Sequence, residues 1–379
     1  MPPSAALRPI NGLPASEGLV VARPRLPDLE ALTPYLRMID ERAWYSNFGP
    51  LVRDFEARLA QRFLPSAATL TVANGTLGLA IGLKALGAPQ GALCAIPSWT
   101  FVATAHAVLQ AGLIPWFVDV DPASWMLDPG YVRDRLSAAP GRVAAVIPVC
   151  AFGQQIDIAA WSAFRRETGV SVLVDAAAAF DTATEAALPT VVSLHATKAL
   201  GVGEGGFVAC EDPDFIERVQ MRTSFGFRGS RDAWVPATNA KMSEYTAAVG
   251  LAGLDLWPVT RGRYAKVAQR LRIALMATPE VGFQPGWGLN WVSSTCVVEL
   301  PANSADRIEA RLNAQGVQSR RWWGAGCHRS TAFAGLPADP LPVTEHLSDS
   351  TLGVPYFADM TDDEVDWLAE ALVAAVAEG

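Results

Sequence analysis

The segments VSVLVDAAAAF, residues 170–180, and TVVSLHATKALGVGEGGFVAC, residues 190–210, decide how the rest of the chain is read. Each opens with an apolar run and leads to a residue able to do chemistry: Asp175 closes VSVLVD, and Lys198 stands just past TVVSLH. Apolar runs without alternation are predicted to be strands buried on both faces, as in a parallel sheet. Upstream the same grammar repeats. TLTVA (69–73) leads into the helical NGTLGLAIGLKALG (74–87), and ALCAIPSW (92–99) into TFVATAHAVLQAG (100–112). IPWFVDV (114–120) and VAAVIPV (143–149) are further strands with a helical segment between them. The expected fold class is therefore α/β, a mostly parallel sheet covered by helices, with ligands at the carboxyl ends of the strands.

Further out, LVRDFEARLAQRF (51–63) sets Leu51, Phe55, Leu59 and Phe63 at helical spacing. After LAGLDLWP (251–258) the pattern changes to a long helix through RGRYAKVAQRLRIALMAT, then to VSSTCVVEL, ADRIEARLNAQG and a last amphipathic helix from Thr361. The predicted organisation is an arm at 1–27, on the surface or across a subunit boundary, a large domain at 28–258 and a smaller C-terminal α/β domain at 259–379. With 379 residues the chain exceeds what one core usually serves.

Charge narrows the partners. Thirty Lys and Arg against 38 Asp and Glu give a net −8, which disfavours a broad nucleic-acid or anionic-membrane surface. An anionic substrate must then meet a local basic pocket, for which Arg228, Arg231, Lys241, Arg320 and Arg321 are candidates; each is equally what a solvated surface charge looks like. MPPSAALRPINGLP lacks the basic start and apolar stretch of a secretory signal, so a cytoplasmic protein is expected. Five scattered cysteines without a CxxC pair argue for reduced thiols rather than a disulfide framework or zinc site.

Lys198 sits at a strand end beside GVGEGG, where desolvation or nearby positive charge lets a lysine lose its proton and form a Schiff base. An exposed loop lysine has the same local sequence. Asp175 tips the balance, since a carboxylate closing an apolar strand needs a partner. A protonated pyridine nitrogen is such a partner; an N-cap role is the alternative. Gly75, Thr76 and Leu77 open a helix whose amides and dipole suit a phosphate, with Ser193 as a further donor. Trp99 is placed to lie on a planar ring.

GVGEGG (201–206) satisfies the dinucleotide-binding spacing, but FVAC after it reads as a strand where that motif requires a helix. Four histidines in unrelated segments supply neither a metal set nor a catalytic triad. His195 alone lies close to the motifs, in a position to shape the lysine loop.

Taken in order, YSNFGPLVRDFE, NGTLGLAIGLKALG, IPSWTFVATAHAVLQAGLIPWFVDVDP, PVCAFG, VLVDAAAAF, SLHATKALGVGEGGFV, TNAKMSEYTAAVGLAGLDLW and LPVTEHLSDSTLGVPYF resemble the DegT/StrS nucleotide-sugar aminotransferases, fold-type-I enzymes dependent on pyridoxal 5'-phosphate (PLP). The resemblance implies that Lys198 carries PLP, Asp175 pairs with its ring nitrogen and Trp99 stacks on the ring. Gly75, Thr76, Leu77 and Ser193 would hold the phosphate. Asn239 would reach the cofactor of a second subunit, giving a homodimer with shared sites. Lys198 stands where the family's dehydratases have histidine, which favours transamination. The YSNFGP and RRWWGAGCH strings look most like the subgroup that aminates dTDP-4-keto-6-deoxyglucose from an amino acid such as L-glutamate, in deoxyaminosugar and O-antigen or other polysaccharide biosynthesis. Asn47, Phe48, Arg228 and Trp322 are its substrate-contact candidates, with Trp322 and Trp323 both placed to flank the sugar or base or else to serve as core residues. Ala178 departs from the glutamine or histidine usual at that place, so the contact to the ring's 3-hydroxyl is altered. Alternatives are a family member acting on a cyclitol or other non-nucleotide ketone, and a non-catalytic PLP-binding regulator, against which both Lys198 and Asp175 speak.

Overall fold

The structure is a computed structural model and describes residues 18–377. Helices α1 (Leu29–Arg42) and α2 (Pro50–Ala60) precede β1 (Ala68–Val72) and α3 (Gly75–Ala85). Strand and helix then alternate through β2 (Leu93–Pro97), α4 (Val102–Gln110), β3 (Ile114–Val118), α5 (Pro129–Arg135), β4 (Val143–Val146) and α6 (Ile158–Thr168). Next come β5 (Ser171–Val172), β6 (Val174–Asp175), β7 (Thr190–Ser193), β8 (Gly206–Cys210), α7 (Pro213–Thr223) and α8 (Glu244–Ala274). The chain closes with β9 (Gly282–Phe283), β10 (Cys296–Glu299), α9 (Ala305–Ala314), α10 (Pro342–Ser350), β11 (Thr351–Val354) and α11 (Asp362–Ala377).

The main sheet has two stretches, β1-β8-β7-β6 and β3-β2-β4-β5. They join where β5 and β6 follow one another and Val149 bridges Asp175. All its pairings are parallel except those of β8, which runs against both β1 and β7. The short lysine loop explains the exception, because so brief a link cannot make the crossover a parallel pair needs. FVAC is thus the strand expected after GVGEGG. Alternate residues serve two cores: Leu93 and Ala95 pack in one, Cys94 and Ile96 in the other. That period of two is the signature of a sheet covered on both faces.

Leu51, Phe55 and Leu59 point from α2 into the core as expected, and Phe63 joins them from the turn after it. The helix expected after Pro258 begins earlier, at Glu244, and runs for 31 residues with Pro258 inside it. Proline costs a helix one hydrogen bond, and α8 offsets that by packing against α1, α2 and α11. At Gly250 a Cβ would fall 2.4 Å from the Phe55 ring, so glycine permits the close approach of α2 and α8. The expected division between 258 and 259 therefore falls within a continuous helix; we take α8 as the element linking a large unit to a smaller one built on the antiparallel sheet β11-β10-β9.

Residues 1–17 of the expected arm lie outside the described residues. Its remainder packs on the smaller unit: Leu19 pairs with Val317, and Arg23 and Arg25 meet Glu364 and Asp359 at 2.8 and 3.0 Å. All five cysteines are buried and unpaired. No described helix is long and apolar enough to cross a membrane.

Candidate active site

The carboxyl ends of β1, β2, β6 and β7 bring Gly75, Trp99, Asp175 and Lys198 to one edge of the sheet. Asp175 is 4% exposed. Its carboxylate accepts from Thr104 Oγ1 of α4 at 2.8 Å and from the Ala177 amide at 3.1 Å. Burial holds the carboxyl above its ordinary range, against the pull of these donors and of Lys198. Thr104 is a participant the sequence reading missed. Its one signal is a polar residue, fully buried, on an otherwise apolar helix face.

Lys198 lies in a loop stapled by its own backbone. The Lys198 amide donates to His195 O at 2.8 Å, Ala196 N to Gly203 O at 2.7 Å and Leu194 N to Gly205 O at 2.9 Å. His195 Nδ1 lies 2.8 Å from Thr197 Oγ1, so this histidine does shape the loop. Burial pushes the half-buried Lys198 amine below its ordinary value, with Asp175 partly opposing. The neutral amine is the nucleophilic and basic form.

This has a measurable consequence. Between the lowered folded value and the ordinary 10.5, the unfolded lysine binds more protons than the folded one, so stability rises with pH across that window. Thermal melts of the cofactor-free protein and of Lys198→Met should diverge there, the wild type gaining on the variant as pH rises. Parallel curves would mean that Lys198 is not desolvated.

At the start of α3, Asn74 Oδ1 accepts from Leu77 N at 2.9 Å. The Leu77 amide, counted among the phosphate donors from sequence, is therefore already engaged as part of the helix cap. The amides of Gly75 and Thr76 have no partner among the described residues. Register sets both Val72 and Ser193 opposite Gly206. A Cβ at Gly206 would come within 3.0 Å of Gly75 N, and one at Gly75 within 3.0 Å of Ser193 Cβ and 3.5 Å of its Oγ. These two bare positions leave a concave cradle of free amides and a hydroxyl at a helix N-terminus, which suits a phosphate. With a buried carboxylate for a ring nitrogen and a desolvated lysine, the residues present fit PLP.

Trp99 is 3% exposed, and its buried indole N–H has no partner among the described residues. Trp323 stands against it, with ring centroids 5.3 Å apart and nearly perpendicular. Phe152 stacks on Trp323 at 3.9 Å and meets Trp125 edge-on. Trp322 instead lies over Gly353, beneath the Arg320 guanidinium.

Asn47 is exposed and Phe48 half-buried; consecutive positive φ values of 63° and 57° form their bend. Arg228 pairs with Glu217 at 2.8 Å on the surface, and Arg321 with Asp306 and Asp349. Among the described residues no hydrogen bond or ion pair joins Asn47, Phe48, Arg228 or Trp322 to Lys198 or Asp175. Asn239 is exposed, its Oδ1 accepting from Lys241 Nζ at 2.6 Å. Ala178 presents only a methyl group, with its carbonyl lying against Gly153.

A strand-end lysine facing a buried aspartate, beside an anion cradle and an indole, defines an enzyme that works through a phosphorylated, protonatable ring cofactor. The chain belongs to the DegT/DnrJ/EryC1/StrS aminotransferase family, whose model matches residues 29–373. It is a PLP-dependent sugar aminotransferase with the fold of that class. Protein Rv3402c of Mycobacterium tuberculosis is 30% identical over 94% of this chain and 90% of its own length. The dTDP-4-amino-4,6-dideoxy-D-glucose transaminase of Shigella dysenteriae is 32% identical over 62% of this chain and 65% of its own. Among solved structures, DesI, crystallised in the presence of its TDP-sugar product, superposes with a TM-score of 0.86 at 32% identity, covering 96% of this chain and 94% of DesI.

Proposed function

We propose that this aminotransferase moves an amino group from L-glutamate to carbon 4 of a dTDP-linked 4-keto-6-deoxysugar, as a cytoplasmic homodimer. The observation that carries the reading is the convergence of Lys198, Asp175 and the open cradle of Gly75, Thr76 and Ser193. The likeness to DesI and to a dTDP-sugar transaminase supports the choice of acceptor.

When bound, PLP supplies a carbonyl that condenses with amines and a ring that accepts electrons. Asp175 would face the ring nitrogen, and its carboxylate form would favour the protonated ring. Lys198 Nζ, neutral and tethered beside the reacting carbon, takes the α-proton of the donor and later delivers a proton to the acceptor carbon, so both transfers are effectively intramolecular. The cradle fixes the phosphate and hence the ring.

The shared site is supported by the loop around Asn239. It exposes Phe225, Phe227 and Trp234 at 48%, 38% and 64%, more apolar surface than a free loop normally carries. Asn239→Ala should weaken PLP retention about tenfold, the size of one lost hydrogen bond to a charged group. Unchanged retention, measured by dialysis and absorbance, would count against a site completed by a second subunit.

The acceptor is tested by offering glutamate with dTDP-4-keto-6-deoxyglucose, and separately with the same sugar stripped of its nucleotide. Amination confined to the nucleotide sugar is expected. Equal amination of the bare ketone would favour the cyclitol-type alternative instead.

A further inference from the structure

We propose that Ser98 and His328 form a positioning pair that holds Trp323 against Trp99 and Phe152, giving the acceptor side of the site an aromatic wall. The proposal rests on the reading of Trp99 as the residue facing the cofactor ring.

Ser98 is fully buried and immediately precedes Trp99. Three contacts tie it to a segment more than 200 residues away in the chain. His328 Nδ1 lies 2.6 Å from Ser98 Oγ, the His328 amide donates to the same oxygen at 3.3 Å, and the Cys327 amide donates to Ser98 O at 2.8 Å. Oγ carries one proton and two lone pairs, so beside the amide contact it can donate to Nδ1 or accept from Nδ1–H, and in either case it pairs with a neutral imidazole. Burial and the neighbouring Arg329 favour that neutral form.

From this anchor the chain runs back through a tight turn, with Gly326 N donating to Trp323 O at 3.0 Å. The turn delivers the Trp323 ring to Trp99 and Phe152. Phe152 has φ +53°, a strained value for an aromatic residue. Its place is over-determined by Trp323 on one face and Trp125 at its edge. Downstream, the same segment hydrogen-bonds along β3, where Phe117 N donates to Pro337 O and Asp339 N to Phe117 O, both at 2.9 Å. The segment is thus a strap from the smaller unit across the large one, with Ser98–His328 its fastening nearest the site.

Lys198 is held by its own loop, and Asp175 by Thr104, which reaches Ser98 only through Thr100 and the Ser98 backbone carbonyl, a link that changes in the Ser98 and His328 side chains do not remove. Loosening the fastening therefore leaves the proton-transfer groups in place and disturbs only the wall. A small amino-acid donor has little use for that wall. A sugar acceptor that turns a deoxygenated edge toward it loses a packing surface.

The test measures the two half-reactions separately in the PLP-loaded enzyme, together with near-ultraviolet circular dichroism of the cofactor-free protein. In His328→Leu the acceptor KM should rise about tenfold, as expected for one buried hydrogen bond, while the glutamate half-reaction stays within about twofold. The aromatic dichroism from the coupled Trp99, Trp323 and Phe152 rings should fall. His328→Asn, whose side-chain amide offers an acceptor or a donor in the place of Nδ1, should restore both signals. Ser98→Ala should reproduce the loss, and the double variant should be no worse than either single one.

An unchanged acceptor KM, an equal fall in both half-reactions, or additive losses would each overturn the proposal. If the wild type aminates no sugar, the functional reading fails, and the dichroism of the cofactor-free variants still decides whether the pair holds the wall.

Discussion

Lys198→Ala yields a folded protein whose turnover falls by about 10⁴-fold or more, the upper range for removing a positioned acid–base group. The side chain makes none of the hydrogen bonds that close its loop. Those run between backbone groups of residues 194–205 and through His195 and Thr197, so deleting the amine leaves the scaffold intact. On the proposed mechanism, what disappears is the group that attaches the cofactor and moves the proton at the reacting carbon. No other amine is a ready substitute: Lys241, the other lysine whose amine burial lowers, lies on the exposed loop against Phe225 and Asn239. Circular dichroism and a melting curve matching the wild type, alongside lost turnover, are the expected pair of results. Turnover near the wild-type rate would remove Lys198 from the mechanism.

Asp175→Asn is expected to cost roughly 10²- to 10³-fold in turnover, comparable to deleting one preorganised electrostatic contact. The substitution is nearly isosteric: the amide oxygen can accept from Ala177 N while the NH2 donates to Thr104 Oγ1, whose own proton can turn to Thr100 Oγ1, so the geometry survives. On the proposed mechanism, the lost element is the negative charge that keeps the ring nitrogen protonated. The same substitution should raise the melting temperature of the cofactor-free protein at neutral pH. Burial holds the native carboxyl above its ordinary pKa. Its unfavourable contribution is therefore absent below the unfolded value and grows as pH rises through the interval up to the folded value. A variant that turns over normally, or melts lower without cofactor, would mean that Asp175 is a structural cap.

Lys198, Asp175, Gly75 and Ser193 could be proposed from the sequence because each signal is local: an apolar strand stops and a chemically capable residue follows. The covered sheet was legible for the same reason. The reversed β8 follows from the brevity of the lysine loop, and the early start of α8 from an alanine-rich stretch that Pro258 does not interrupt. Pairings between distant segments left no local trace. Thr104 joins Asp175 across 71 positions and Ser98 joins His328 across 230. Trp322 and Trp323 are neighbours in sequence that face different surroundings, and composition carries no signal of which one meets Trp99.

The most direct test of the central claim is an absorbance spectrum of the purified protein, loaded with PLP and then given glutamate. A band at the edge of the visible that shifts to the pyridoxamine form on adding glutamate, and is absent from Lys198→Ala, is the predicted result. No such band in the loaded wild type would contradict the assignment of Lys198 and Asp175 as a PLP site.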